Sequence, residues 1–255
     1  MMVIVGASEI ELRRVRRLIS AERVEVHGGR QFCFGTMRGR AVCLVRAGVG
    51  RKNAAAAARA ICADLRPAMV IAAGAAGALD PALSCGSAVV VERVLGENST
   101  ELIACPPEWA GRALAALHAS GMQAQAGSCC QTRTFIHRSS QKQALRAKTG
   151  AHIVDMESFA FAVEFRRAGM PFIDLRVVSD SARRDTADMK MLTGLWRRSG
   201  RPAVALHLCL RPRELARVLF FYRGMGAAAE RIADALLAIV RASIEPVGTC
   251  GPADG

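Results

Sequence analysis

Aromatic side chains are scarce: nine Phe, two Trp and one Tyr make up 5% of 255 residues. Nothing among them resembles a platform on which nucleic-acid bases stack. Long apolar runs are missing too. The longest uncharged apolar run, residues 68–79, has twelve residues including two glycines, whereas a membrane-spanning helix needs about 20, so a soluble protein is expected. Glu9 and Glu11 break the short apolar opening 1–5, which argues against a secretory signal. The nine cysteines are odd in number and contain no CxxC pair and no Cys/His cluster of zinc type; Cys129 and Cys130 are simply adjacent. No structural metal and no cofactor is expected. Cys43, Cys62 and Cys209 lie in apolar runs, where a reduced thiol acts as a small hydrophobe, so a reducing cytoplasm is the expected compartment.

What is present fits one large single-core domain: 51% hydrophobic and 22% charged residues are ordinary globular values. The charge balance is less ordinary, with 35 basic against 22 acidic residues, a net of +13. Residues 183–223 concentrate the excess, with ten Lys or Arg against three Asp or Glu. Such a segment suits an anionic partner (nucleic acid, lipid headgroups or a phosphorylated substrate) or merely a solvated arginine-rich surface.

Strands and helices alternate along the chain. Apolar periodicity predicts strands over 2–6, 23–27, 31–37, 41–46, 69–73, 87–94, 124–134, 153–156 and 171–178. It predicts helices over 9–20, 53–65, 109–117, 141–148, 158–167, 214–222 and 227–242. The run of consecutive strands near the N-terminus argues for a single α/β domain over 1–245, with a central mixed sheet flanked by helices rather than a purely doubly wound one. The Pro/Gly-rich end, 246–255, is expected to be a flexible tail.

Two glycine clusters sit where ligands bind in α/β folds. Gly48-Val49-Gly50 opens a helix, and Gly74-Ala75-Ala76-Gly77 ends a buried strand. Neither is a Walker A loop or a full dinucleotide fingerprint, and each alone is an ordinary tight turn. The carboxylates say more. Glu9 and Glu11 follow the first strand, Asp155 and Glu157 flank Met156 at a strand-to-helix junction, and Asp180 ends the strand carrying Arg176-Val177-Val178-Ser179. Any one of them is explained as a helix cap or first-turn acid. Three acidic sites at three strand ends, beside glycine turns, point to one shared site.

In this order the segments resemble the purine nucleoside phosphorylase / methylthioadenosine nucleosidase superfamily over residues 2–182. The matching pieces are Gly6-Ala7-Ser8-Glu9-Ile10-Glu11, Ala47-Gly48-Val49-Gly50-Arg51-Lys52-Asn53-Ala54, Ala73-Gly74-Ala75-Ala76-Gly77, Thr134-Phe135-Ile136, Val154-Asp155-Met156-Glu157-Ser158 and Arg176-Val177-Val178-Ser179-Asp180. The resemblance implies cleavage of an N-glycosidic bond. Asp180 is then the general acid toward N7 of the base, a role that calls for a carboxyl whose hold on its proton is strengthened by burial. Glu157 accepts hydrogen bonds from the ribose hydroxyls beside the developing cation, and Met156 packs on the sugar. Phe135 stacks on the base, the backbone of Ile136 reads its edge, and Ser179 orients Asp180. Glu11, or else Glu9, is the base that activates water. Gly74 and Ala75 line the strand end, while Gly6 and Arg46 are candidates to hold water or phosphate. The hydroxyl that phosphorylases place at the strand end is absent at Ala72 and Ala75, which favours hydrolysis and leaves phosphorolysis as the alternative.

The segment after Asp180 is longer than a small nucleosidase requires and mixes large apolar residues with arginines, a composition suited to a lipid surface. With Gly200-Arg201-Pro202 and Leu210-Arg211-Pro212 it resembles the hopanoid-associated branch of the superfamily. That implies release of adenine from adenosylhopane by a cytoplasmic homo-oligomer peripheral to the inner membrane through 183–223, with no nucleic-acid partner. A methylthioadenosine/adenosylhomocysteine nucleosidase is the alternative within the class, and a basic nucleic-acid or membrane-binding module the alternative outside it.

Overall fold

The computed structural model describes residues 1–99 and 101–242; the expected tail 246–255 lies outside them. The first strand, β1 (Met2–Gly6), runs parallel between β4 (Arg40–Arg46) and β5 (Met69–Ala78). Val3 and Val5 enter the core on one face, Met2 and Ile4 the core on the other. Both faces are covered, so the strands read as continuous apolar runs instead of alternating ones. α2 (Arg51–Asp64) and α5 (Ser158–Arg167) cover one face; α1 (Glu9–Arg17), α3 (Pro107–Ala119) and the latter half of α7 (Pro212–Ala242) cover the other. Ala54, Ala57, Ala58 and Ile61 are the buried stripe of α2, and the small side chains of the three alanines let it lie close to α5.

Beyond β4 the antiparallel strands β3 (Arg30–Met37) and β2 (Ser20–His27) extend the sheet. On its other side β5 pairs with β10 (Phe172–Asp180), β10 with β6 (Ala88–Gly96), β6 with β8 (Ala124–Gln131), and β8 with β9 (Ile153–Asp155). β9 returns to pair with β5, closing these five strands into a ring. The result is the mixed α/β sheet that the strand pattern implied. β5 belongs to both parts: its residues 69–72 pair with β1 and its residues 77–78 with β9. Between those stretches this edge passes from one partner to the other, and side chains reach it.

Three departures from the sequence expectation stand out. The helices expected over 214–222 and 227–242 are one continuous helix, α7. α6 (Met189–Cys209) was not anticipated; it is broken at Gly200, whose φ is +74°, two residues before Pro202. A short strand, β7 (Leu102–Ala104), pairs with β6. Cys209, expected in an apolar setting, is exposed on α6, while Cys43 is buried. Buried residues of α7 begin at Gly224, so α6 and the first turns of α7 stand off the core. No helix among the described residues is long and apolar enough to cross a membrane.

Candidate active site

Glu11 is placed by the first turn of α1. Ser8 caps that helix and forms a capping box with Glu11: the Ser8 amide and hydroxyl donate to Oε2 at 2.7 and 2.8 Å. The other oxygen, Oε1, accepts the Ala75 amide at 2.8 Å, on the part of β5 that neither β1 nor β9 pairs. α1 comes this close because residue 6 is glycine; a Cβ there would lie 2.6 Å from the Leu12 side chain and 2.9 Å from the Ala73 carbonyl oxygen. Glu11 is 6% exposed. Glu9 is an exposed residue whose carboxylate lies 3.4 Å from Arg46. Arg46 stands opposite Gly6 in the strand register, but its guanidinium pairs outward with Glu9 rather than with Glu11.

Arg176 faces the same point from β10, in register with Gly74. A Cβ on Gly74 would fall 2.4 Å from Arg176 Nη1 and 3.1 Å from Glu11 Oε1, so the bare glycine leaves the space between guanidinium and carboxylate. Arg176 is fully buried. Its Nε donates to Ser158 Oγ at 3.0 Å and lies 3.1 Å from Asp155 and 3.0 Å from Asp174. Burial works against its charge, but Asp174 and Asp155 outweigh that and hold it protonated. Its Nη2 has no protein hydrogen-bond partner. Asp155 also accepts the Ser158 amide at 3.0 Å and hydroxyl at 2.6 Å. It therefore tethers the start of α5, a structural task distinct from that of its neighbour Glu157.

Glu157, just before α5, accepts the Gly50 amide at 2.6 Å. Gly50 has a φ of +94°, a conformation suited to glycine, and begins α2. The Gly48–Gly50 turn thus presents a helix N-terminus to a carboxyl. Burial, reinforced by Asp155 and by Glu11, pushes the Glu157 pKa up to about 8.

Asp180 closes β10 after an irregularity in its pairing with β5. Ser179 Oγ donates to its Oδ1 at 2.7 Å, and a Cβ on Gly77 would be 3.2 Å from its Oδ2. Asp180 is buried, as the role inferred from the sequence requires, but its surroundings are not apolar. The ammonium of Lys142, from α4 (Ser139–Thr149), pairs with Oδ2 and donates to the Ser181 carbonyl at 2.7 Å. Both side chains are at most 1% exposed.

Phe135, Ile136 and Met156 are each half-buried. The Phe135 ring meets the edge of Phe221 from α7, with centroids 5.5 Å apart at 78°, and Ile136 packs beside Leu79, Leu145 and Val154. Sequence reasoning missed Lys142, the Arg176 side chain and Phe221. Two had a readable signal. Lys142 precedes Leu145 by three on the buried stripe of a helix, and Arg176 interrupts an otherwise apolar stretch of strand. Among the described residues no group of three or more His, Cys, Asp or Glu is arranged to hold a metal ion.

Residues 2–194 match the model of the phosphorylase superfamily. Among curated proteins the chain is similar to 5′-methylthioadenosine/S-adenosylhomocysteine nucleosidase of Bacillus cereus, 27% identical over 201 residues, covering 72% of this chain and 87% of that protein. The nucleosidase of the same name from a Marinomonas species is 26% identical over 200 residues, with the same coverage. Among solved structures, the Neisseria meningitidis 5′-methylthioadenosine/S-adenosylhomocysteine nucleosidase bound to methylthio-immucillin-A is 21% identical, with a TM-score of 0.76 over 94% of this chain and 98% of that one. Futalosine hydrolase of Helicobacter pylori is 17% identical, with a TM-score of 0.76 over 94% and 97%; at these identities the likeness is one of fold. The glycine-rich strand end ringed by carboxyls thus sits on a shared fold and within the matched residues, and the chain belongs to the phosphorylase superfamily.

Proposed function

We propose that this protein hydrolyses the N-glycosidic bond of a 5′-substituted adenosine, releasing adenine, and that adenosylhopane is its substrate. The observation that carries the reading is the placing of Glu11 and Asp180, from two separate elements, against the glycine-rich end of β5, with Glu157 held nearby by the Gly50 amide and within electrostatic reach of Glu11. Bond cleavage leaves positive charge on the sugar and negative charge on the base. Glu157 accepts the ribose 2′- and 3′-hydroxyls beside the cation. Met156 packs on the sugar, Phe135 on the base, and the backbone of Ile136 reads the base edge. Asp180, held by Ser179, addresses N7 of the leaving purine.

Glu11 has three of its roughly four acceptor positions filled by Ser8 and Ala75. The remaining one is left to accept from the attacking water, for which the space that Gly74 leaves open between Glu11 and Arg176 is the place. Hydrolysis is favoured over phosphorolysis because Asp155 and Asp174 already neutralise Arg176, and because Ala72 and Ala75 offer no hydroxyl to an anion. Purified protein is therefore expected to release adenine from adenosylhopane at a rate independent of phosphate. Faster turnover of methylthioadenosine would instead assign it the activity for which its curated relatives are named.

The long 5′ substituent is proposed to leave along α6 and α7. Trp196, Leu206, Leu210, Leu215, Leu219 and Tyr222 are exposed there, among the arginines of 183–223. Apolar side chains of this kind enter a lipid interface while arginines reach headgroups. Co-sedimentation with anionic vesicles, weakened by salt and by Trp196→Ser with Leu210→Ser, is expected; no vesicle binding would remove this part of the reading.

A further inference from the structure

We infer that Lys142 is a positioning residue that supplies, through Asp180, the proton taken up by the departing base; the inference rests on the N-glycosidic reading above. A buried lysine is costly unless paired, and a buried ion pair is commonly matched or bettered in stability by apolar residues of the same size. α4 buries only two side chains, Lys142 and Leu145, and nothing about the packing of a helix asks for an ammonium at the first. That ammonium is given to the Oδ2 of Asp180 and to the Ser181 carbonyl. Asp180 in turn lies against Gly77, where no side chain separates it from the glycine-rich strand end.

With Lys142 as an ammonium beside an Asp180 carboxylate, the proton that Asp180 passes on comes from Nζ, to which its Oδ2 is hydrogen-bonded. As the C1′–N9 bond breaks, its electron pair passes into the purine. N7 takes a proton from Asp180, and Asp180 takes one from Lys142 Nζ, leaving a neutral amine beside a carboxylate that is again charged. The water oxygen bonds to C1′ and its proton passes to Glu11. After release Lys142 regains a proton from solvent and Glu11 loses one, so nucleoside and water give adenine and the ribosyl product with nothing else consumed. The ammonium also holds the carboxylate at the position from which it reaches N7.

The test compares wild type, Lys142→Met, Asp180→Asn and the double variant on two substrates. One is the adenine nucleoside that wild type cleaves. The other is the corresponding riboside of 4-nitrophenol, which departs as a stable anion and needs no proton. Lys142→Met is expected to lower kcat for adenine release by about 100-fold or more, with KM within about threefold. Its loss on the nitrophenyl riboside should be at least about tenfold smaller, and the double variant should be no slower than Asp180→Asn. Equal losses on both leaving groups, adenine release at the wild-type rate, or multiplying losses in the double variant would each overturn the inference. Should Lys142→Met fail to fold with its partner's charge unpaired, the double variant against Asp180→Asn decides alone. Wild type that cleaves no adenine nucleoside would overturn the reading of the whole site.

Discussion

Two glycines of α7, two residues apart, should respond to the same substitution with opposite signs. A Cβ on Gly224 would lie 2.0 Å from the carbonyl oxygen of Ser179, far inside contact distance. Its neighbour there is backbone, which no rotamer change relieves, so the helix must retreat by roughly an ångström. Overpacking of this kind costs about 1–3 kcal/mol, and the strained partner is a strand in the closed ring, which puts Gly224→Ala at the upper end. Replacing a mid-helix glycine by alanine returns about 1 kcal/mol, for a net loss of about 2 kcal/mol. In a chain of this size that lowers Tm by roughly 4–8 °C. Gly226→Ala meets nothing within 4 Å, keeps only the helix-propensity gain, and should raise Tm by roughly 2–4 °C. The retreat also moves Phe221, one turn earlier, away from Phe135, so KM for the adenine substrate should rise in Gly224→Ala alone. Thermal melts followed by circular dichroism, with steady-state kinetics on both variants, make the comparison. Equal Tm shifts for the two, or an unchanged KM in Gly224→Ala, would refute the claim that α7 is seated on Ser179 by its glycine.

Other outcomes follow from the same geometry. Glu11→Gln should lower kcat by about 100-fold or more and also cost about 1–3 kcal/mol of stability, because both carboxylate oxygens accept backbone amides and glutamine can replace only one of them; that loss of stability with normal kcat would make Glu11 a structural cap only. Glu157 holds its proton up to about pH 8 in the folded protein against an ordinary value of 4.5. The native state therefore binds the proton that the unfolded chain has released, and stability of the ligand-free protein should fall across that window by up to about 1.4 kcal/mol per pH unit. Denaturant titrations at pH 5 and 8 should show this fall in wild type and a shallower one in Glu157→Gln. Gly74→Ala pushes against Arg176 and Glu11 and should reduce turnover at least tenfold with KM nearly unchanged; wild-type turnover would mean that the space between them is not used.

Local pattern carried much of the fold. Ser158–Arg167 and Met2–Gly6 have in the structure the bounds that periodicity assigned them, because each element buries a face whose spacing is written in consecutive residues. The break expected between 222 and 227 illustrates where this fails. Glycine is a poor helix former, and Gly224 with Gly226 reads as an interruption. The helix continues because its packing on β10 needs residue 224 to lack a side chain, a demand made by residues some 45 positions away in the chain. α6 was missed for the complementary reason: Gly200 and Pro202 interrupt its pattern, and only the structure shows two helical stretches that meet at a kink there.

The sequence by itself determined the alternation of strands and helices, the glycine turns, and the acidic residues at strand ends, since these follow from chain-local sterics and burial. What only the tertiary structure decided was which charges meet. Of the neighbouring pairs Glu9 and Glu11, Asp155 and Glu157, Glu11 turns to the glycine-rich end of β5 and Glu157 to the Gly50 amide, while Glu9 and Asp155 are each taken by an arginine from another strand. The position of Lys142 on the stripe of Leu145 is in the sequence, but its partner Asp180 is fixed only when α4 is laid against the end of β10. Coulomb attraction depends on separation in space, and separation in space is fixed by the closing of the sheet.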